Sequence, residues 1–238
     1  MLLSLKHNFL FVHIAKTGGT SVRAALSRYR YRGRHGLPLF LADKLDQMTG
    51  HRIGAKFPRH AKAIAAREML PAEVYDRLFK FVFVRNPWDL QVSSYFHIRR
   101  ERPRVLEGVA DFEAFMRLKF DPDRPWNYLL DTALELQRDY VVDLHGRTIV
   151  DFIGHYESLQ ADFDQVCRRI GLPGIPLPHR RRAEGRDDYR RYYSDETAAL
   201  VAEHYRPDIE LFGYRFDPPQ NPEGGDLTPS APGARSGP

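Results

Sequence analysis

Apolar positions along the chain alternate between short continuous runs and stretches with helical spacing. The continuous runs at 9–14 and 79–84 are typical of buried parallel strands. Each run precedes a segment whose apolar residues recur every three or four positions, over 17–29 and from Trp88 onward. This alternation predicts an α/β fold with a central, mainly parallel sheet.

Weaker patterns complete the predicted organisation. They indicate irregular structure over 30–60, a helix over 61–79, two strands at 140–144 and 148–153, and helices that begin near Ser158 and Ser194. After Phe216 the chain becomes rich in Pro, Gly, Ser and Asn. We therefore expect one domain over 1–216 and a disordered tail over 217–238.

Composition narrows the classes of function. The 238 residues are 42% hydrophobic, enough for one substantial core, and the net charge of +5 suits an anionic ligand without singling out nucleic acid. Cys167 is the single cysteine, which excludes an intramolecular disulfide and a cysteine-cluster metal site. No signal peptide or transmembrane run is evident, so the sequence predicts a cytoplasmic protein.

The first predicted strand ends in a small-residue turn that carries a lysine and three hydroxyls, Lys16-Thr-Gly-Gly-Thr-Ser21. A strand, a glycine turn and a helix N-terminus form an anion site, because backbone N–H groups converge there and the helix dipole favours negative charge. Lys16 precedes the two glycines, whereas the standard nucleotide-triphosphate loop places its lysine after them. A plain strand-to-helix turn with a solvated lysine is the alternative.

The second predicted strand ends at Arg85, before Asn86-Pro87-Trp88-Asp89. Asn86 is suited to cap the next helix and Pro87 to occupy its first turn. A guanidinium at this position can bind a phosphate in bidentate fashion, and Ser93 lies two turns further along. A structural ion pair for Arg85 and a neutral surface role for Ser93 are the alternative. Both strand ends would lie at one edge of the sheet and could bind two phosphates of one nucleotide.

These two motifs resemble the sulfotransferases that use 3′-phosphoadenosine 5′-phosphosulfate (PAPS), particularly the carbohydrate O-sulfotransferases. HIAKTGGTS is similar to their 5′-phosphosulfate loop, and FVFVRNPWDLQVSSYFH to their 3′-phosphate motif. DFIGHYESLQADF and DYRRYYSDETAALVAEHYRPDIELFGYRF extend the resemblance over about residues 8–216. It implies a three-layer sandwich like that of P-loop NTPases and transfer of a sulfuryl group from PAPS to a hydroxyl of a glycan or glycolipid.

The resemblance also implies which residues bind the donor. The 5′-phosphosulfate would be held by Lys16, Thr17, Gly18, Gly19, Thr20 and Ser21, and the 3′-phosphate by Arg85 and Ser93. Two positions depart from the family pattern. The family often has a basic residue where Leu90 stands and an arginine where His155 stands, so the contact made by that arginine stays open.

Sulfuryl transfer to a hydroxyl needs charge stabilisation on the leaving phosphate and a base for the acceptor proton. Lys16 can supply the first. For the base we favour His60, which precedes a predicted helix and, as an imidazole, titrates near neutrality. Related carbohydrate sulfotransferases commonly carry a histidine at the matching place, and His51 is the second candidate. No metal is expected, because a sulfuryl group carries less negative charge than a phosphoryl group.

The acceptor side is less defined. Two arginine-rich segments, 28–34 and 180–191, can contact donor or acceptor or can form solvated loops. Trp126, Tyr128 and the Tyr192–Tyr193 pair can stack on a ring or belong to the core. The sequence leaves the oligomeric state open. A nucleotide or small-molecule kinase and a nucleic-acid-binding module are the competing functions. The lysine placement counts against the kinase, and the intermixed acids count against the nucleic-acid module.

Overall fold

The computed structural model describes residues 1–30, 59–178 and 186–217. Within these residues the strands form one sheet in the order β1 (Leu2–Ser4), β2 (Phe9–Val12), β3 (Phe79–Val84) and β4 (Phe152–His155). β2 pairs in parallel with β3 and β3 with β4, while β1 is antiparallel to β2. The predicted α/β fold with a mainly parallel sheet is therefore confirmed, and β1 is an antiparallel edge strand that the sequence analysis did not predict.

Helices connect and flank the strands of the described ranges. They are α1 (Gly19–Leu26), α2 (Ala63–Met69), α3 (Ala72–Arg77), α4 (Pro87–Glu101), α5 (Phe112–Phe120), α6 (Tyr128–Asp131), α7 (Leu159–Arg169), α8 (Asp195–His204) and α9 (Arg206–Phe212). Short 3₁₀ turns occupy Ser27–Tyr29, Pro103–Leu106, Arg138–Tyr140, Tyr156–Ser158 and Tyr189–Tyr192.

Alternate residues of the central strands point to opposite faces of the sheet, and both faces are covered. Phe9 and Phe11 of β2 pack with residues of α1 and α7, whereas Leu10 and Val12 pack with residues of α2 and α3. This follows from the two-residue period of a strand, which makes a strand buried on both faces apolar throughout. The result is the predicted three-layer arrangement.

Two predicted elements differ in extent from those observed. The strands predicted at 140–144 and 148–153 reduce to one bridge between Val142 and Thr148, and β4 begins only at Phe152. Between them the Asp143 carboxylate accepts the backbone N–H groups of His145 and Arg147, a local turn that competes with a longer ladder.

The helix predicted over 61–79 is divided into α2 and α3. Leu70 and Pro71 are extended between them, as expected because proline disfavours helical geometry in the preceding residue.

A third apolar cluster joins α4, α5 and α8 beside the sheet, around Trp88, Phe115 and Val201. Among the described residues no helix combines the length and apolar character that crossing a bilayer requires. Several predicted features lie outside the described residues: most of the tail (218–238), Arg32, Arg34, His51, Arg180, Arg181 and Arg182.

Candidate active site

The first strand end is a tight turn with left-handed backbone. Lys16 has φ 67° and Gly18 has φ 79°, and α1 begins immediately afterwards at Gly19. Thr17 is buried and its hydroxyl donates to the Ile14 carbonyl at 3.1 Å, which fixes the turn from inside. The turn therefore places Lys16 directly before a helix N-terminus, where anions are favoured.

Gly18 is required at this turn for space as well as for conformation. A Cβ there would lie 2.6 Å from Cδ2 of Leu159 and 3.2 Å from Cδ2 of Tyr156. The lysine turn is thus packed against the start of α7, so its shape depends on a segment about 140 residues away in the chain.

The second strand end leads from β3 into α4. The Asn86 side chain accepts the Trp88 N–H at 3.0 Å and Pro87 occupies the first helical turn, which confirms the predicted cap. The Gln137 side chain forms two hydrogen bonds with the Arg85 backbone. Its amide oxygen accepts the Arg85 N–H at 2.9 Å, and its amide nitrogen donates to the Arg85 carbonyl at 2.8 Å. Arg85 is thereby held at a defined position at the sheet edge.

The two strand ends touch through the Arg85 guanidinium. Its Nη1 donates to the Lys16 carbonyl at 2.9 Å, and Nε and Nη2 both bond to Oδ2 of Asp89 at 2.7 Å. The guanidinium also stacks on the Tyr156 ring, 3.8 Å from its centroid. Arg85 is buried, and the predicted alternative of a structural ion pair is present alongside the contact with the lysine turn.

A second guanidinium converges on the same carboxylate. Arg186 forms an ion pair with Asp89, so two arginines share one acid. Burial and the adjacent Arg85 lower the pKa of Arg186 to about 10, which still leaves it charged at neutral pH. The Glu157 carboxylate also acts on Arg85, so the two guanidinium groups are balanced by Asp89 and Glu157. A guanidinium has five N–H donors, of which Arg85 commits three to these contacts, and the donors that remain are suited to a phosphate.

The remaining predicted donor-binding residues are placed differently from one another. Ser21 is buried and donates its hydroxyl to the Pro178 carbonyl at 2.8 Å, whereas Thr20 is exposed. Gly19 lies against the His13 ring, since a Cβ there would be 2.1 Å from Cδ2 of His13. Ser93 is half-buried on α4, the helix that follows Arg85.

His60 lies beside the lysine turn and is oriented by His13. Its Nδ1 is 3.0 Å from the His13 carbonyl oxygen, and the two rings are 4.8 Å apart. A carbonyl oxygen only accepts, so Nδ1 carries the proton and Nε2 carries the lone pair. Burial lowers the pKa of His60 below its usual range and that of His13 to about 2, so both rings are neutral at pH 7.

His60 also lines an open cleft of about 280 Å³, near the lower limit for small-molecule pockets. We call this the acceptor-side cleft, and its lining is Arg59, His60, Tyr128, Thr132, Glu135 and Tyr140. Tyr140 is buried and its hydroxyl donates to the Glu135 carboxylate. The candidate base thus faces a cleft that carries polar groups and an aromatic ring.

Sequence reasoning missed several residues of this site. Gln137 and Glu135 approach it only through the folded chain, and no local motif marks them; Tyr156 lies in the DFIGHYESLQADF segment, but its ring contact with Arg85 is visible only in the structure. Arg186 lies in a segment that the sequence singled out as basic, but the carboxylate it pairs with is almost a hundred residues away. Glu157, the middle residue of the 3₁₀ turn after β4, also contacts the second strand end, because its carboxylate accepts the Asn86 N–H at 2.9 Å.

The arginines and aromatic residues that the sequence singled out lie in different surroundings. Arg28 and Arg30 are exposed, Arg190 pairs with Asp188 and Asp217, and Arg191 pairs with Asp187. The rings of Tyr192 and Tyr193 pack against Phe112 in the third apolar cluster. Trp126 and Tyr128, by contrast, are exposed.

The two residues that depart from the family pattern are both accommodated in the fold. Leu90 is buried in α4, and the His155 ring packs against the Tyr214 ring. Among the described residues no group of three or more histidine, cysteine or acidic side chains is arranged to hold a metal ion.

Comparisons with known proteins give one family and several relatives. A model of the sulfotransferase family matches residues 1–215. An uncharacterized protein of Archaeoglobus fulgidus is 32% identical over 126 residues, which are 52% of this chain and 93% of that protein. Carbohydrate sulfotransferase 14 of Danio rerio is 22% identical over 251 residues, covering 90% of this chain and 62% of its own.

Two further matches are a third relative and a solved structure. Carbohydrate sulfotransferase 11 of Rattus norvegicus is 27% identical over 169 residues, covering 57% of this chain and 46% of its own. The chain therefore spans less than two thirds of the length of both carbohydrate sulfotransferases. A crystal structure of a sulfotransferase from Alicyclobacillus acidocaldarius is similar at a TM-score of 0.43 and 17% identity, over 87% of this chain and 96% of that one.

Proposed function

The chain belongs to the sulfotransferase family, and from this premise we propose that it transfers a sulfuryl group from PAPS to a hydroxyl of a carbohydrate or glycoconjugate. The two carbohydrate sulfotransferases among its relatives support the acceptor class, and the family supports sulfuryl transfer over phosphoryl transfer or nucleic-acid binding. The donor, the base and the acceptor are parts of this proposal.

The contact between Arg85 and the Lys16 carbonyl carries the proposal. It joins two strand ends that each favour an anion, at the carboxyl edge of the neighbouring parallel strands β2 and β3. Ligands of open α/β sheets bind at this edge. One adenosine derivative with a phosphosulfate at its 5′ end and a phosphate at its 3′ position has two anionic groups of the kind these strand ends would bind.

The chemical step assigns a role to Lys16 and to His60. The acceptor oxygen attacks sulfur while the bond from sulfur to the 5′-phosphate oxygen breaks, and that oxygen keeps the electron pair. An ammonium at Lys16 would stabilise the charge that develops there. The acceptor proton passes to Nε2 of His60, whose neutral form and tautomer suit a general base. The products are the sulfated acceptor and adenosine 3′,5′-bisphosphate.

Isothermal titration with adenosine 3′,5′-bisphosphate and with adenosine 5′-monophosphate tests the donor site. The wild type should bind the bisphosphate more tightly, because the second nucleotide lacks the 3′-phosphate. Arg85→Ala should weaken bisphosphate binding about 30-fold or more, since truncating one partner of a buried charge pair costs about 2–5 kcal/mol. The monophosphate should bind the variant about as well as it binds the wild type.

Arg124→Ala is the matched control. Arg124 is another buried arginine, 2.7 Å from an oxygen of Asp131, but it lies in the loop between α5 and α6. Its loss should leave both nucleotide affinities unchanged. If Arg85→Ala weakens the binding of both nucleotides equally, the role of Arg85 is to support the lysine turn and not to bind the 3′-phosphate. If the folded wild type does not bind the bisphosphate, PAPS is rejected as the donor.

A further inference from the structure

Two large aromatic side chains stand exposed where the loop after α5 meets the start of α6. Trp126 is 73% exposed and Tyr128 is 55% exposed, and their ring centroids are 6.4 Å apart. Exposed apolar residues that occur singly need no explanation, whereas these two rings lie side by side. The pair therefore requires a reason to face solvent.

The loop holds these rings in place through an ion pair between the buried side chain of Arg124 and the half-buried carboxylate of Asp131. The Arg124 guanidinium bonds to both carboxylate oxygens of Asp131, at 3.2 Å and 2.7 Å, and the Asn127 N–H donates to the same carboxylate at 2.6 Å. Asn127 in turn caps α6 through the Leu129 N–H. The aromatic pair is presented by a fixed loop, which reduces the ordering cost when a ligand binds.

One ring of the pair, Tyr128, lines the cleft that contains the candidate base, and Trp126 is the neighbour of that ring. Tyr128 lines the acceptor-side cleft together with His60, and Thr132 and Glu135 supply a hydroxyl and a carboxylate to the same surface. An aromatic face with a few polar groups is the composition of a small-molecule pocket. A sugar has apolar C–H faces and a rim of hydroxyls, so it matches an aromatic face beside oxygen acceptors.

The charges of the lining indicate which saccharides fit. Arg59 and Glu135 contribute one charge of each sign, so the described lining is neutral overall. The two arginines that share the Asp89 carboxylate, Arg85 and Arg186, lie instead at the nucleotide end. An acidic saccharide would meet the Glu135 carboxylate without a net positive field to compensate it.

Building on the sulfotransferase function proposed above, we infer that the acceptor-side cleft binds a neutral saccharide, stacked on Trp126 and Tyr128, with a hydroxyl directed to Nε2 of His60. Glu135 accepts a second hydroxyl of the same sugar. This assigns a saccharide subsite to the cleft, and it specifies a neutral acceptor rather than an acidic one.

Tryptophan fluorescence tests the inference directly. The chain has two tryptophans, and Trp88 is buried with its Nε1–H bonded to the Ala198 carbonyl. Acrylamide quenching of the exposed fluorescence therefore reports on Trp126. With saturating adenosine 3′,5′-bisphosphate, at least one of lactose, cellobiose, maltose and N-acetyllactosamine should protect Trp126, and an unsulfated chondroitin tetrasaccharide, which carries carboxylates, should protect it less.

Variants separate stacking from folding. Calorimetry with the protecting disaccharide should give about tenfold weaker binding for Trp126→Ala and for Tyr128→Ala, and less than threefold for Trp126→Phe, which keeps an aromatic face. Leu144→Ala is the control, because Leu144 is 87% exposed and does not line the cleft. It should bind the disaccharide as the wild type does.

Two outcomes would overturn the inference. One is that none of the four disaccharides protects Trp126 although adenosine 3′,5′-bisphosphate binds. The other is that the chondroitin tetrasaccharide protects it better than every neutral probe. In both cases the nucleotide titration still supports PAPS as donor, so the failure belongs to the saccharide subsite. Protection of Trp126 without any nucleotide binding would instead reject the donor and leave the subsite standing.

Discussion

At the scale of single residues, the protonation of His60 decides whether the site can accept a proton. The His13 carbonyl fixes the proton on Nδ1 and leaves Nε2 free of it, and burial lowers the pKa so that the ring is neutral at pH 7. A neutral imidazole in the right tautomer is the form that a general base needs. The pH dependence of turnover follows from the same contacts.

His60→Asn should lower kcat by about 10²- to 10⁴-fold, the usual contribution of a general base, while nucleotide affinity changes less than threefold. The asparagine amide keeps a donor for the His13 carbonyl, so the fold of the turn is retained. In the wild type, protonation of His60 removes the base. The rate should therefore fall on the acid side with an apparent pKa below about 6.5 and stay level from there to pH 8.

The rate of sulfuryl transfer from radiolabelled PAPS to an accepted saccharide is measured from pH 5 to 8. Calorimetry measures the affinity for adenosine 3′,5′-bisphosphate. A His60→Asn variant with the turnover of the wild type would move the base to another residue, of which His51 is the next candidate.

The sequence could propose His60 as the base because a histidine before a helix is a local feature, and this role stays a prediction. It could not place Glu135, Tyr156 or Gln137 at the site, since their relevance depends on contacts across about 50 to 75 residues of chain. The donor residues predicted from the two motifs stay predictions. What the structure adds is that their backbones meet, through one guanidinium and one carbonyl.

At the scale of elements, the turn between β2 and α1 determines where the histidines lie. Gly19 begins α1 in contact with the His13 ring, and that ring lies against His60. Packed interiors have little room for an added methyl group. The glycine therefore couples the start of the helix to the position of the candidate base.

Gly19→Ala should displace the His13 ring, because a Cβ would lie 2.1 Å from its Cδ2 and 2.2 Å from its Nε2. We expect the free energy of unfolding to decrease by about 1–3 kcal/mol, which is the usual effect of overpacking. We expect kcat to fall at least tenfold, because His60 loses its orientation. Urea denaturation and the PAPS assay measure both quantities. Gly174→Ala is the control, since nothing lies within 4 Å of a Cβ there. Wild-type kcat and stability in Gly19→Ala would show that the turn accommodates the methyl group without moving the histidines.

Elements with several concordant signals were predicted well. β3 is a continuous apolar run, and the asparagine cap and proline that follow it fix the start of α4, so both agree with the sequence. β1 was missed because three residues carry too little pattern, and its pairing with β2 is a tertiary property. The strands predicted around residue 145 failed because the Asp143 side chain takes backbone donors that periodicity alone does not reveal.

At the scale of the whole molecule, burial of titratable groups makes the free energy of unfolding depend on pH. His13 is 4% exposed, and burial lowers its pKa to about 2. Asp208 shows the opposite sign: burial raises its pKa to about 6 even though it accepts backbone N–H groups from Gln137 and Arg138. The acid response of the fold is thus a sum of opposing contributions, and one group has to be isolated by difference.

His13→Asn isolates the histidine contribution. The pKa of His13 is lower in the folded chain than its unfolded value of about 6.5, so between these two values the unfolded chain binds the proton first. The free energy of unfolding should therefore decrease as the pH falls below about 6.5. His13 alone supplies up to about 1.4 kcal/mol per pH unit of that slope.

The His13→Asn variant lacks this titration, so its unfolding free energy should depend less steeply on pH between 6 and 4, whatever its stability at pH 7. Urea denaturation at half-unit steps measures the two slopes. Parallel slopes for His13→Asn and the wild type would mean that the folded chain takes up a proton at His13 as readily as the unfolded chain. The His13 ring would then not stay neutral in mildly acidic solution.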